Sequence, residues 1–205
     1  MNVNRSPSQT IKNLYGLVLS GGKSTRMGMD KGSIAYHSRP QREYLYKMLE
    51  AFCEKVFMSI RADQQQEIGG RWEVITDDNE FRGPFNGILS AHKCFPTATW
   101  LILACDLPLI NSGTIVQLIE ARDPGKDATA YATRESGLPE PLAAIWEPGG
   151  LEKARVYLRD SESSCPRKFL LKSDVTLLYP ENDQLLCNAN SPAEYREIRQ
   201  KLATQ

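Results

Sequence analysis

The chain has 205 residues, with 25 lysines and arginines balanced by 25 aspartates and glutamates. This balance lacks the basic excess that is typical of nucleic-acid-binding proteins, but it allows a local basic pocket for a phosphorylated small molecule. The five cysteines are odd in number and include no Cys-x-x-Cys pair, which argues against a disulfide framework and a zinc site and favours a reducing cytoplasm. Because no apolar run is long enough to span a bilayer, we expect no membrane association.

The polar first residues have no apolar signal-peptide core, so we expect residues 1–12 to form a disordered leader. Short apolar runs then alternate with helical patterns. Strands are predicted for residues 14–19, 56–60, 73–76 and 100–105. Helices are predicted after Pro40, ending near Glu54, after "GP" at residues 83–84, and after the N-cap Asn111.

The second half is less regular, with predicted strands "ATAYAT", "LAAIW" and "VTLLY", a helix over residues 151–159, and a final helix capped by Ser191. No linker rich in glycine, serine or proline divides the chain, so residues 13–205 are predicted to form one domain. The alternation predicts an α/β, single-domain, Rossmann-like fold with a mostly parallel central sheet and helices on both faces. The uninterrupted apolar strands at residues 14–19 and 100–105 should be central.

Three predicted strands are followed by loops that carry charged or glycine-rich residues, "SGGKSTRMGMDK", "TDDNEFRGP" and "CDLPL". In open α/β sheets, ligands bind in the crevice beyond the carboxyl ends of the strands. The three loops are therefore predicted to converge on one binding site, although they are far apart in the sequence.

The first loop contains "GGKST", which resembles the end of a phosphate-binding Walker A motif. That motif needs a glycine five positions before Gly22, where this chain has Leu17, so the match is rejected. The twin glycines can still aim backbone N–H groups at anionic oxygens, and Lys23, Arg26 and Lys31 supply cations suited to a polyphosphate. The alternative is a solvated loop with incidental charge.

Asp106 ends an apolar strand, which is an arrangement suited to holding Mg²⁺. The alternative for this carboxylate is a loop cap beside Pro108. Asp77 and Asp78, which follow another predicted strand, are similar candidates. Asn188 and Asn190 precede the last helix and share one face of an extended segment, where they could bind a heterocycle or phosphate, or could serve ordinary turn chemistry.

Taken together, these residues resemble the molybdenum cofactor nucleotidyltransferases, and most closely the molybdenum cofactor guanylyltransferases. The stretch "LSGGKSTRMGMDK" matches the opening signature of that family, and "GPFNG", "CDLP" and "NANSPAEY" match its later segments in order. The chain departs from the family pattern at a few positions. Ser20 replaces the commoner alanine, Phe85 replaces leucine, Ser59 stands where some relatives have asparagine, and Gln41-Arg42 replaces an apolar position.

The resemblance implies a nucleotidyltransferase that transfers GMP from GTP to the phosphate of molybdopterin, releases pyrophosphate and uses Mg²⁺. It implies that nucleotide contacts come from Leu19, Ser20, Gly21, Gly22, Lys31, Asp77 and Asp106. It assigns catalytic roles to Lys31, Arg26 and Asp106, the metal to Asp106, and molybdopterin binding to Asn188 and Asn190. Molybdopterin-loading proteins or molybdoenzymes could make transient contact.

Two alternatives remain open from the residues alone. One is a related transferase that uses CTP or acts on another phosphorylated acceptor. The other is a non-catalytic nucleotide-binding homologue, against which the presence of both Lys31 and Asp106 argues.

Overall fold

The structure is a computed structural model that describes residues 10–21, 31–68, 70–161, 163–189 and 192–203. Within these ranges, seven strands alternate with helices. The strands are β1 (Ile11–Leu19), β2 (Cys53–Ile60), β3 (Val74–Thr76), β4 (Thr99–Ala104), β5 (Ala128–Ala132), β6 (Pro139–Trp146) and β7 (Val175–Leu178). The α-helices are α1 (Gln41–Leu49), α2 (Gln65–Ile68), α3 (Pro84–Cys94), α4 (Ser112–Glu120), α5 (Pro148–Asp160), α6 (Pro166–Leu170) and α7 (Pro192–Ala203). Short 3₁₀ turns cover Lys31–Ser33, Ala62–Gln64 and Asp183–Leu186.

The strands form one sheet in the order β3-β2-β1-β4-β6-β5-β7. All neighbouring pairs are parallel except the two that involve β6, which runs antiparallel to β4 and β5. The prediction of a mostly parallel α/β sheet is confirmed. The two long apolar strands, β1 and β4, lie side by side in the interior of the sheet, as their sequences predict.

Alternation along β1 explains how both faces of the sheet are covered. Leu14 and Val18 belong to the apolar cluster that includes residues of α1 and α4, whereas Leu17 belongs to the cluster that includes residues of α3, α5 and α6. At Gly16, an added Cβ would lie 3.1 Å from the side chain of Leu49, so the absence of a side chain lets α1 pack closely on the strand.

Several predicted boundaries are wrong by a few residues, and two of them matter most. Strand β1 begins at Ile11, so Ile11 and Lys12 belong to the sheet and not to a leader. Its second and third residues, Lys12 and Asn13, are polar and exposed, which hides the start of the strand from an argument based on apolar runs. The helix after Pro40 ends at Leu49 rather than near Glu54, because β2 already begins at Cys53. Residues 1–9 lie outside the described part of the chain.

The end of the chain returns to the carboxyl edge of the sheet. The backbone N–H of Ala189 donates to the carbonyl oxygen of Asp106 over 2.9 Å, which fixes Asn188 beside the end of β4. Ile198 of α7 packs with Ile34 and Tyr36 in a small third apolar cluster. The C-terminal segment therefore contributes to the same edge as the strand-end loops.

Within the described ranges, no helix has both the length and the apolar character that crossing a membrane requires.

At the opposite edge of the sheet, a buried polar network joins the start of β4 to the end of β6. Arg122 donates from Nε and Nη2 to the two carboxylate oxygens of Glu147, over 2.6 and 2.9 Å. Thr99 donates to the same carboxylate and accepts from Arg122. The Glu147 side chain is only 6% exposed, so its charge depends on this arginine.

We predict that Arg122→Met lowers the free energy of unfolding by about 3 kcal/mol, because it leaves a buried carboxylate without its cation. Urea denaturation measures the change. The control is Lys126→Met, which removes an exposed ion pair with Asp174 and should cost less than about 1 kcal/mol. Equal losses in the two variants would contradict the prediction, and Arg122→Met/Glu147→Leu should recover most of the stability.

Candidate functional site

The register of the parallel strands brings three distant loops to one place. Leu19 pairs with Ser59 on one side and with Ala104 on the other, so β1, β2 and β4 end at the same level. The loops that follow them border a cleft of about 410 Å³. Its lining includes Leu19, Ser20, Gly21, Asp77 and Asp106. The structure thus brings these predicted site residues together.

Asp77 is the buried carboxylate of this first cleft. Its Oδ1 atom accepts a hydrogen bond from the Ser59 hydroxyl over 2.6 Å. Burial raises the pKa of the Asp77 carboxyl above its usual range, although the bond from Ser59 and the charge of Arg61 act in the opposite direction. The bond from Ser59 therefore restrains the orientation of this carboxylate at the cleft wall.

Asp78 makes its contacts outside the cleft. The structure therefore distinguishes Asp77 from Asp78, which the sequence leaves as equal candidates. Its carboxylate accepts from Lys93 over 3.0 Å and from Ser90 over 3.1 Å, both on α3. These bonds outweigh the modest burial and lower the pKa of Asp78. Asp78 thus ties the loop to α3 and does not line the cleft.

Arg61 fixes the glycine end of the first loop. Its Nη1 atom donates to the carbonyl oxygen of Gly21 over 2.8 Å, while Nε and Nη2 donate to the carboxylate of Asp63. A Cβ on Gly21 would lie 2.7 Å from Oδ2 of Asp77. The backbone at Gly21 can therefore pass this close to the carboxylate only because it carries no side chain.

Helix α3 begins at the wall of the cleft. Gly83 precedes it with φ of 65°, a left-handed conformation that favours glycine, and Pro84 occupies the first turn. Gly83, Pro84, Asn86 and Gly87 all line the cleft. The N-terminus of this 11-residue helix therefore offers backbone N–H groups and a positive dipole end to an anionic ligand.

Asp106 stands where this cleft meets a second one of about 550 Å³. The two clefts share Gly83, Pro84, Leu142 and Asp106. The second cleft is further lined by Glu140 and Pro141 of β6, by Arg167 of α6 and by Asn188. A molecule in each cleft would thus meet its neighbour beside the Asp106 carboxylate.

The donor set at this junction fits a hard divalent cation that is completed by ligand oxygens. Among the residues the structure describes, no three histidine, cysteine, aspartate or glutamate side chains cluster as a complete metal site. Mg²⁺ commonly binds through one or two carboxylates together with substrate phosphates and water. A single carboxylate between two clefts matches that mode, and it does not match an all-protein cage.

Several predicted site residues fall outside what the structure describes. Gly22, Arg26 and Asn190 lie in undescribed segments, and Lys31 is described only as the start of the turn at Lys31–Ser33. Their roles stay predictions. The two ends of the first loop do meet, because a Cβ on Gly32 would lie 2.6 Å from Oγ of Ser20.

Sequence reasoning missed the residues of β6 and α6 that line the second cleft, and it missed Arg61. The connection "RESGLPEP" reads as a turn, and nothing in it marks Glu140 as part of a site. His92, which we did not expect to act in catalysis, is buried on α3 and does not line either cleft.

The strand-end loops, the helix N-terminus and the junction carboxylate form an arrangement that suits an anionic ligand at the edge of an α/β sheet, with room for a second ligand. Residues 16–175 match the family model described as the MobA-like NTP transferase domain, and the chain belongs to that family of nucleotidyltransferases.

Two relatives show the similarity of this chain to known proteins in sequence. The chain is 40% identical over 188 residues to a "Molybdenum cofactor biosynthesis bifunctional protein" of Synechocystis sp., covering 90% of this chain but only 53% of that relative. It is 32% identical to a "Probable molybdenum cofactor guanylyltransferase" of Opitutus terrae, covering 93% of this chain and 96% of the relative. The chain therefore spans about half of the first relative and nearly all of the second.

The fold is also found in the crystal structure of "Molybdopterin-guanine dinucleotide biosynthesis protein A" from Archaeoglobus fulgidus. That structure superposes with a TM-score of 0.76 at 20% identity and covers 93% of this chain and 100% of its own. At this identity the likeness supports the fold, and it confirms the α/β nucleotidyltransferase architecture.

We predict that Gly87→Ala weakens binding of a nucleoside triphosphate at least about tenfold, because the new methyl group would overlap the Ser59 hydroxyl and displace the Asp77 carboxylate that it holds. Isothermal titration calorimetry measures the dissociation constant. Gly149→Ala is the matched control, since a Cβ there meets no atom within 4 Å. Unchanged nucleotide affinity in a folded Gly87→Ala protein would contradict this account of the cleft.

Proposed function

We propose that this protein transfers GMP from GTP to the phosphate of molybdopterin, forming the guanine dinucleotide cofactor and releasing pyrophosphate. The observation that carries the proposal is the pair of clefts that meet at Asp106. Transfer between two bound molecules requires that their reacting phosphates be adjacent and that charge be neutralised at the point of contact. The names of the relatives supply the substrates that this geometry alone does not specify.

In this proposal, the first cleft takes the nucleotide. Backbone groups at Leu19, Ser20 and Gly21 contact it, and the Asp77 carboxylate accepts hydrogen bonds from its hydroxyl groups. The N-terminus of α3 faces the phosphates. Gly22, Arg26 and Lys31 belong to the loop after β1, and Lys31 and Arg26 supply the cations for the triphosphate.

The second cleft takes molybdopterin, with Asn188 at its edge and Asn190 two residues further along the chain. Asp106 is the residue that would hold Mg²⁺, which would supply positive charge to offset that of the phosphates. Asp106 is well placed for that role because its carbonyl is tied to the N–H of Ala189, which restrains the strand end.

The reaction needs no reactive side chain from the protein. An oxygen of the molybdopterin phosphate forms a bond to the α-phosphorus of GTP, and the bond from that phosphorus to the β-phosphate oxygen breaks. Pyrophosphate leaves with the electron pair. Since the attacking phosphate is already ionised at neutral pH, the protein contributes positioning and charge neutralisation rather than a general base.

The alternatives to this proposal are a related transfer that uses CTP or another phosphorylated acceptor, and binding of a nucleotide without catalysis. We place the activity in the cytoplasm, with any contact to molybdopterin-loading proteins or molybdoenzymes being transient.

We predict tighter binding of GTP than of CTP in the presence of Mg²⁺, and release of pyrophosphate only when GTP and molybdopterin are both present. Calorimetry with each nucleotide and a coupled pyrophosphate assay measure the two quantities. Equal or tighter CTP binding would contradict the guanylyl assignment. Nucleotide binding without pyrophosphate release would instead favour the non-catalytic alternative.

We predict that Asp106→Asn lowers kcat at least about a hundredfold while the unfolding midpoint stays near that of the wild type, because the change removes a charge at the junction without changing its shape. Steady-state kinetics across a Mg²⁺ titration tests this. Asp183→Asn, a change in a 3₁₀ turn that lines neither cleft, is the control. Wild-type turnover by Asp106→Asn would show that another residue holds the ion.

A further inference from the structure

One guanidinium group reaches the second cleft. Among the described residues that line this cleft, Arg167 is the one cationic side chain. Its side chain is 42% exposed, whereas that of its ion-pair partner Glu140 is 11% exposed. Both members of the pair line the cleft, and the positive member is the more exposed of the two.

The Arg167 guanidinium is held in a fixed plane. Its Nε atom donates to the carbonyl oxygen of Pro139 over 2.9 Å, and its Nη2 atom donates to Oε2 of Glu140 over 2.8 Å. The other carboxylate oxygen of Glu140 accepts from the backbone N–H of Leu142 over 3.2 Å. These contacts use two of the five N–H groups of the guanidinium, and the side chain remains partly open to the cleft.

The second cleft also carries negative charge close to Arg167. Burial, together with the nearby charge of Asp106, raises the pKa of the Glu140 carboxyl, whereas Arg167 acts in the opposite direction. Without cations beside them, the carboxylates of Asp106 and Glu140 would make this wall unfavourable for an anion. An acceptor that attacks through a phosphate oxygen must nevertheless bring its negative charge to this wall.

We propose that Arg167 binds the phosphate of the acceptor and that Glu140 is the residue that positions Arg167. This inference rests on the proposed function, because it takes the second cleft to be the acceptor site. Arginine suits the role because its planar fork can hold two phosphate oxygens at once, which orients the third oxygen as well as neutralising charge. The pair thereby selects a phosphorylated acceptor over the same molecule without its phosphate.

The test compares Arg167→Met, Arg167→Lys and Glu140→Gln with the wild-type protein. Binding of molybdopterin is followed by fluorescence, binding of GTP by calorimetry, and transfer by pyrophosphate release. In Arg167→Met, we expect the molybdopterin Kd and KM to rise at least about tenfold while the GTP Kd stays within about twofold. Arg167→Lys should restore part of the affinity, and Glu140→Gln should give a smaller rise in KM.

Arg155→Met is the matched control. Arg155 lies on α5, its side chain is 41% exposed, and it pairs with Glu152 outside both clefts. Its loss should leave both binding constants unchanged. If Arg167→Met fails to fold because Glu140 is left without its cation, Arg167→Met/Glu140→Gln removes both charges and carries the same expectation for molybdopterin.

These measurements distinguish a failure of the inference about Arg167 from a failure of the proposed function. If the wild-type protein transfers GMP but the Arg167 variants bind molybdopterin as tightly as it does, the inference is overturned and the proposed function stands. A lower kcat with an unchanged acceptor KM overturns it equally. If the wild-type protein binds GTP but neither binds molybdopterin nor releases pyrophosphate with it, the proposed function and the inference are both overturned.

Discussion

A single row of paired residues across four strands fixes the site. Ile75, Ser59, Leu19 and Ala104 lie side by side at the carboxyl ends of β3, β2, β1 and β4. Because side chains alternate between the faces of a strand, a slip of one residue in any pair would exchange the faces and separate the loops that follow. The first cleft depends on this register, since its carboxylates come from two of those loops.

Much of this arrangement could be predicted from the sequence. The two buried strands show themselves as uninterrupted apolar runs, and the charged residues that follow them fall at the edge where ligands bind. What the sequence cannot give is the direction of each side chain beyond a strand end. Asp77 and Asp78 are adjacent and chemically identical, so the sequence does not distinguish them. Their roles differ because Ser59 donates to Asp77 and Lys93 donates to Asp78.

The second cleft could not be predicted from the sequence for a related reason. A short apolar run such as "LAAIW" predicts a buried strand but carries no information on its direction. The antiparallel course of β6 brings its first residues, rather than its last, to the carboxyl edge of the sheet. Glu140 and Arg167 are 27 residues apart, and only the folded chain brings them into contact.

The reversed course of β6 also means that the two clefts are built in different ways. The first cleft is built from loops that leave parallel strands, and those loops are tied to one another by Arg61, Ser59 and Gly21. The second cleft is built from the beginning of β6 and from α6, which lie on separate stretches of chain. A change in the stretch before β6 would therefore alter the second cleft without touching the Arg61, Ser59 and Gly21 contacts that shape the first.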